Sequence, residues 1–301
     1  MSGRSTRGAA ALLLLLGAAC SRESGSSSAA AVADPLAEAR TLLAERRYDD
    51  VLARVGDALD ADSAYIAGRA WAGKAASAPA PSPLAGARVA DTRLKPEEEH
   101  ALAAYTRAVT ARPGLVDAHL AIAELLAPHA LQAAAAAPRV RPGAPVPPPD
   151  PLVERVLMSY GNALQADLVD IKAAEGLIAF AIRAQRPGEA DAGFQELVRR
   201  RREDPVLVVR YGDFLAGPAG NPEAALAQYA QALILRPDDS ATKQKMAEIH
   251  LNAAAAHLRQ LEYVAAEARL TQARRYTVNA TSPQAARLAE LESRVREIRG
   301  R

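Results

Sequence analysis

Reactive chemistry needs a nucleophile, a base or a set of metal ligands, and few side chains here can supply one. The chain has a single cysteine, Cys20, and five histidines, His100, His119, His129, His250 and His257. One thiol closes no disulfide within the chain. His250 and His257 are seven residues apart, which on one helix is about 10.5 Å along the axis, too far to share a metal ion. No G-x4-G-K-[ST], G-x-G-x-x-G, G-x-S-x-G or H-E-x-x-H occurs. No spacing assembles a nucleophile, a base and an oxyanion donor. The residues therefore predict no enzyme, no bound metal and no cofactor. Arg199–Arg202 is the sharpest charge run. It reads either as a contact for lipid phosphate or an acidic partner, or as a solvated helix C-terminus whose cations complement the dipole.

Cys20 sits where its surroundings give it a purpose. Arg4 and Arg7 form a positive start, and Ala9–Ala19 form an apolar run that ends at the cysteine. This is the pattern of a secretory signal, and it is shorter than the ~20 apolar residues that span a bilayer. The ending Leu16-Gly17-Ala18-Ala19-Cys20 resembles a bacterial lipoprotein box. It departs from the box at Gly17, where a large aliphatic residue is usual. The resemblance implies a signal peptide over 1–19, a lipid on the Cys20 sulfur and acylation of the new amine. A thiolate attacks a lipid donor far better than a hydroxyl does, and several acyl chains give a durable anchor where one is marginal. Residues 20–34 then make a Ser/Ala-rich flexible tether. Ser21, with no aspartate after the cysteine, suits the outer membrane facing the periplasm. Ordinary secretion, with cleavage after Ala31-Val32-Ala33, is the alternative.

Composition narrows the fold beyond the tether. Of 301 residues 72 are alanine and only 12 aromatic. That suits close-packed helices and poorly suits a sandwich or barrel, which needs β-branched and aromatic side chains. The formal net charge is +2, and it resides in Arg4 and Arg7. The remaining chain is balanced and has no electrostatic footprint for nucleic acid.

The helices repeat. Ala101, Tyr105, Ala108, Arg112 and Pro113 match Ala225, Tyr229, Ala232, Arg236 and Pro237 in the spacing A-x3-Y-x2-A-x3-R-P. The bulky anchor continues as Val55, Tyr105, Tyr160, Phe194, Tyr229 and Leu270. Two intervals are one repeat of about 34 residues. The others are longer, and two of them contain Pro/Ala-rich inserts at 77–95 and 128–150. Local signals agree: Asn221, Pro222 and Glu223 begin a helix and Pro237 ends it. In that helix Leu226, Tyr229, Ala230 and Leu233 lie on one face. Ala123 with Leu126, and Gly212 with Leu215, are small–large pairs on the preceding helices. After Pro283, Leu288, Leu291, Val295 and Ile298 form a stripe, with Glu290–Arg294 and Glu292–Arg296 as outer i,i+4 pairs.

This pattern resembles the tetratricopeptide repeat: a small residue, an aromatic four later, a small residue three after that, then a proline. The stretch around 171–205 departs, since Pro205 comes three residues late. The family's first-helix tryptophan is absent, and Trp71 does not fall in that register. The resemblance implies an all-α fold, an α-solenoid of about six helix hairpins over 35–278 and a capping helix over 279–301. It also implies a groove lined by first helices that takes an extended or helical segment of a protein partner. Counting from the small positions, that groove holds Asp117, Leu120, Glu124, Val209, Asp213, Gln244, Glu248 and Asn252, with a mildly acidic wall; the same residues also read as plain solvated faces. The function so implied is a membrane-anchored, non-catalytic scaffold in the bacterial cell envelope, assisting assembly of an outer-membrane, pilus or secretion complex. An accessory or substrate-delivery subunit of an envelope enzyme is the alternative.

Overall fold

The computed structural model describes residues 34–78, 94–136, 150–167, 171–277 and 282–299. The signal peptide and tether expected from sequence, with Cys20, lie outside the described residues except for Asp34, as do 79–93 and 137–149 of the expected inserts. Among the described residues there are thirteen helices and no strand. They run α1 Pro35–Ala44, α2 Tyr48–Val55, α3 Ala61–Ser77, α4 Pro96–Ala111, α5 Val116–Ala136, α6 Pro151–Ala166 and α7 Lys172–Arg183. Then come α8 Pro187–Arg200, α9 Pro205–Ala216, α10 Pro222–Leu235, α11 Ser240–Arg259, α12 Tyr263–Tyr276 and α13 Pro283–Arg299. Each helix packs on its chain neighbour, and packing is densest within α3–α4, α5–α6, α9–α10 and α11–α12. All the helices belong to one compact unit. This is an all-α array of six tetratricopeptide-like hairpins with a terminal helix.

Helix starts are built locally. Asp60, Asp150, Asp204, Asn221 and Asp239 each accept a hydrogen bond from the first-turn backbone of α3, α6, α9, α10 and α11. Each such cap contributes about 1 kcal/mol. The hydroxyl and backbone N–H of Thr242 hold the Asp239 carboxyl below its usual range. Proline occupies the start of α4, α6, α8, α9 and α10, where the missing N–H costs nothing.

Four hairpins close tightly. Arg46, Gln185 and Leu261 have φ of 61°, 57° and 63° in the α1–α2, α7–α8 and α11–α12 turns. At each, the next residue's N–H returns to a carbonyl five residues back: Arg47 to Leu42, Arg186 to Ala181, Glu262 to His257. This is the Schellman closure, which favours glycine at the left-handed position. The longer α9–α10 turn, in which the Asn221 N–H returns to the Leu215 carbonyl six residues back, has glycine at its left-handed position, Gly220 with φ 64°. The other two hairpins, α3–α4 and α5–α6, are joined by the insert segments.

The anchors Val55, Tyr105, Tyr160, Phe194, Tyr229 and Leu270 are all buried, one on each second helix. The close approach they need is visible at glycine. A Cβ on Gly68 would lie 2.5 Å from the Tyr105 ring, and one on Gly212 2.5 Å from the Tyr229 ring. The last helix covers the open end, where Leu288, Leu291 and Val295 pack with Leu251, Leu258 and Leu270.

Several local expectations change. The segment predicted to be an insert from 128 begins as helix, because α5 continues through Pro128 to Ala136. Pro128 gives up one backbone hydrogen bond, but Ala130 is buried beyond it and Leu131 packs on the core. Ala230 points to solvent, since the buried face of α10 is Ala225, Tyr229 and Ala232. Glu292 pairs with Arg274 of α12 at 2.5 Å, a bridge between helices. Within the Arg199–Arg202 run, Arg200 is buried rather than solvated. Its guanidinium donates to the carbonyls of Leu164 (2.9 Å) and Asp167 (3.0 Å), at the end of α6. Its dipole partner is thus a neighbouring helix. Arg199 and Arg200 both donate to Glu196, which brings that carboxyl down to about 2.

Candidate binding face

The first helices α3, α5, α7, α9 and α11 line three depressions. One, of about 520 Å³, lies between α3 and α5, with Lys172 of α7 at its edge. A second, of about 380 Å³, lies between α7 and α9. A third, of about 600 Å³, lies between α9 and α11 over the α10 start. They adjoin: α7 lines the first and second, and Asp213 lines the second and third. Most of the lining side chains come from successive first helices, and the second-helix anchors Tyr105, Phe194 and Tyr229 each reach one depression.

Asp117, Leu120 and Glu124 fall together in the first depression. Asp213, Glu248 and Asn252 fall together in the third. Val209 and Gln244 are on α9 and α11 but line none of the three. Leu120 is mostly core, 8 % exposed, and shows only an edge.

The third depression carries a built polar network. The Tyr229 hydroxyl donates to Asp213 Oδ1 at 2.7 Å, and Lys245 Nζ from α11 sits 2.7 Å from each oxygen of that carboxylate. Burial, then the bond to Asp213, pushes the Tyr229 phenol above its ordinary range, so it stays a protonated donor. Glu223 on the rim is paired with Arg269 at 2.6 Å. The Glu248 carboxylate has no hydrogen bond or ion pair among the described residues. In the first depression Arg69 donates to the Tyr65 hydroxyl at 3.4 Å, and Asp117 and Glu124 lie near it. The acidic wall expected from sequence is therefore interrupted by Arg69, Lys172 and Lys245.

The second depression was not foreseen. Ile178, Ile182 and Phe214 floor it, and Glu175 and Arg210 stand at its rim. Phe194 stacks on Phe214 at 5.0 Å and on Tyr211 at 5.3 Å. Ile182 is 38 % exposed, an apolar side chain open to the groove. The signal was the Ile178–Ile182 spacing of one helical turn; the late Pro205 obscured the register of this hairpin.

The histidines lie in separate surroundings. His100 stacks on Trp71 at 4.5 Å, His119 Nε2 meets the Pro113 carbonyl at 2.8 Å, and His129 meets Glu98 at 3.2 Å. His257 meets Glu262 at 2.6 Å, and His250 is buried against Tyr276. Among the described residues no three His, Cys, Asp or Glu side chains converge on one point. No described helix is long and apolar enough to cross a membrane. The arrangement offers shape, apolar contact and fixed charge along a row of helices.

No family model matches the chain, and no curated protein matches it. Among solved structures, the chain is similar to YrrB, described as a tetratricopeptide repeat protein with an unusual peptide-binding site. The match has 13 % identity and a TM-score of 0.37, and covers 82 % of this chain and 97 % of that one. It is similar to the tetratricopeptide repeat protein TTC0263 of Thermus thermophilus at 17 % identity and TM-score 0.35, over 69 % of this chain and 93 % of that one. It is also similar to human IFIT1, solved with a capped RNA, at 14 % identity and TM-score 0.40, over 89 % of this chain and 55 % of that one. At such scores the superposed backbones diverge, and the hairpin assignment rests on this chain's own helices.

Proposed function

We propose that this chain is a non-catalytic scaffold that holds a segment of a protein partner along its first-helix face. One observation carries the reading: three depressions that adjoin along α3, α5, α7, α9 and α11. A segment laid across them meets apolar floor and fixed polar groups on helices that are already ordered, so little further ordering is needed. A protein segment, rather than nucleic acid, suits a chain whose charge is balanced after residue 19.

The setting is proposed from the N-terminus. Arg4, Arg7, the apolar run and Cys20 support a lipid anchor in the bacterial cell envelope, on the outer membrane facing the periplasm. Within that setting the scaffold assists assembly of an outer-membrane, pilus or secretion complex.

The test is photo-crosslinking in detergent-solubilised membranes, with the probe at Ile182 or Asn252 and a control probe at Arg201 outside the groove. Adducts from the groove positions alone support the binding face; equal adducts from Arg201 overturn it. Pore or barrel components among the adducts support assembly, whereas synthases or hydrolases point to an accessory subunit of an enzyme complex. Cys20→Ala should release the chain from the membrane fraction or leave it unprocessed. Unchanged processing and fractionation would remove the anchor.

A further inference from the structure

We infer that the segment held on this face is cationic and amphipathic: an apolar side chain seated between α7 and α9, flanked by lysine or arginine that meets Glu124 and Glu248. The inference rests on the binding-face reading above and adds the chemistry of the occupant.

The argument is charge complementarity around an apolar floor. Six acids line the three depressions against four bases, Arg69, Lys172, Arg210 and Lys245. Two of the acids are already satisfied within the chain, Asp213 by Lys245 and Glu223 by Arg269. The other four, Asp117, Glu124, Glu175 and Glu248, have no ion pair among the described residues, and every depression holds at least one of them.

Glu124 shares its depression with Tyr105, and Glu248 shares its own with Tyr229. Both carboxylates are exposed, so an incoming cation reaches them without being buried. Between these two carboxylates lies the floor of Ile178, Ile182 and Phe214. An acidic segment would set its own carboxylates against Glu124 and Glu248, and Lys245, which lines the third depression with Glu248, is already paired with Asp213. A wholly polar segment would leave Ile182 uncovered.

Random twelve-residue peptides displayed on phage and selected against the full chain test this. The enriched peptides are then synthesised and their binding measured by fluorescence anisotropy. The expected peptides carry an aliphatic or aromatic residue between basic ones. Their affinity should fall about tenfold between about 50 and 500 mM salt. It should fall by about tenfold again with Glu124→Lys plus Glu248→Lys, and be unchanged by Glu203→Lys, an exposed acid outside the depressions. Acidic or neutral peptides that lose binding with Ile182→Glu would overturn the charge of the occupant and leave the binding face standing. Basic peptides equally retained by Glu124→Lys plus Glu248→Lys would overturn the inference. Peptides of any kind unaffected by both that double variant and Ile182→Glu, or no enrichment at all, would overturn the binding face as well.

Discussion

Tyr105 and Tyr229 hold equivalent places in two hairpins, and comparing them separates what the repeat requires from what the neighbours add. Both rings are 2 % exposed, and both press on a glycine of the preceding helix, Gly68 in one case and Gly212 in the other. There the likeness ends. The Tyr229 hydroxyl is tied to Asp213, which Lys245 of the next hairpin also holds. Tyr105 has Tyr65 beside it, ring centroids 5.9 Å apart, and no hydrogen bond from its hydroxyl among the described residues. The α9–α10 hairpin closes through Gly220, whereas α3 and α4 are joined by the long insert segment. The ring and its glycine set how closely the two axes approach. The polar end is set by what the hairpin's own first helix places beside the hydroxyl, Asp213 of α9 in one case and Tyr65 of α3 in the other, with Lys245 of the following helix added at Asp213.

Truncation should show the shared part most strongly. Tyr105→Ala and Tyr229→Ala should each destabilise by about 4 kcal/mol, the usual cost of emptying a buried aromatic site. Similar falls in the urea midpoint would support a common role, and a fall in only one would break the equivalence. Next, Gly68→Ala and Gly212→Ala should each cost about 2 kcal/mol. The added Cβ overlaps a buried ring, and that outweighs the ~1 kcal/mol gained from alanine's helix propensity. A rise in thermal midpoint for either would show that the axes part without penalty.

The hydroxyl is where the two should diverge. Tyr229→Phe removes a bond to a carboxylate and should cost about 1.5 kcal/mol, while Tyr105→Phe should be close to neutral. Equal effects in a denaturant series would mean that the Asp213 network adds nothing. The smallest effects belong to the turns. Gly220→Ala places a side chain at φ 64° and should cost about 1 kcal/mol, whereas Leu261→Gly relieves the same conformation at φ 63° and should gain about 0.5 kcal/mol. Leu261 is 68 % exposed, so no packing opposes the gain. Calorimetry on the pair reads both signs, and a loss from Leu261→Gly would show that its turn is held by something other than backbone preference.

Much of the fold is legible in the residues. The six anchors are all buried on second helices, and at Tyr105 and Tyr229 the spacing A-x3-Y-x2-A places small, large and small residues on one helical face. The terminal stripe found its place because Leu288, Leu291 and Val295 recur at helical spacing. What escaped has a common cause. Arg200 reads as one of four surface arginines until α6 ends beside it. Glu292 has Arg296 one turn away, but Arg274 of another helix takes it. Ile178 and Ile182 look like ordinary core until α9 leaves a gap beside them. Asp213 and Asp117 read as an acidic wall until Lys245 and Arg69 arrive from elsewhere in the chain.

The sequence alone determined the helices, their caps and the hairpin period, since these depend on interactions within a turn or two of backbone. Only the stacking of hairpins decided which charges are spent and which remain, and where an apolar floor lies open. Those outcomes join residues tens of positions apart, and short-range spacing carries no record of a distance that forms only when separate helices pack.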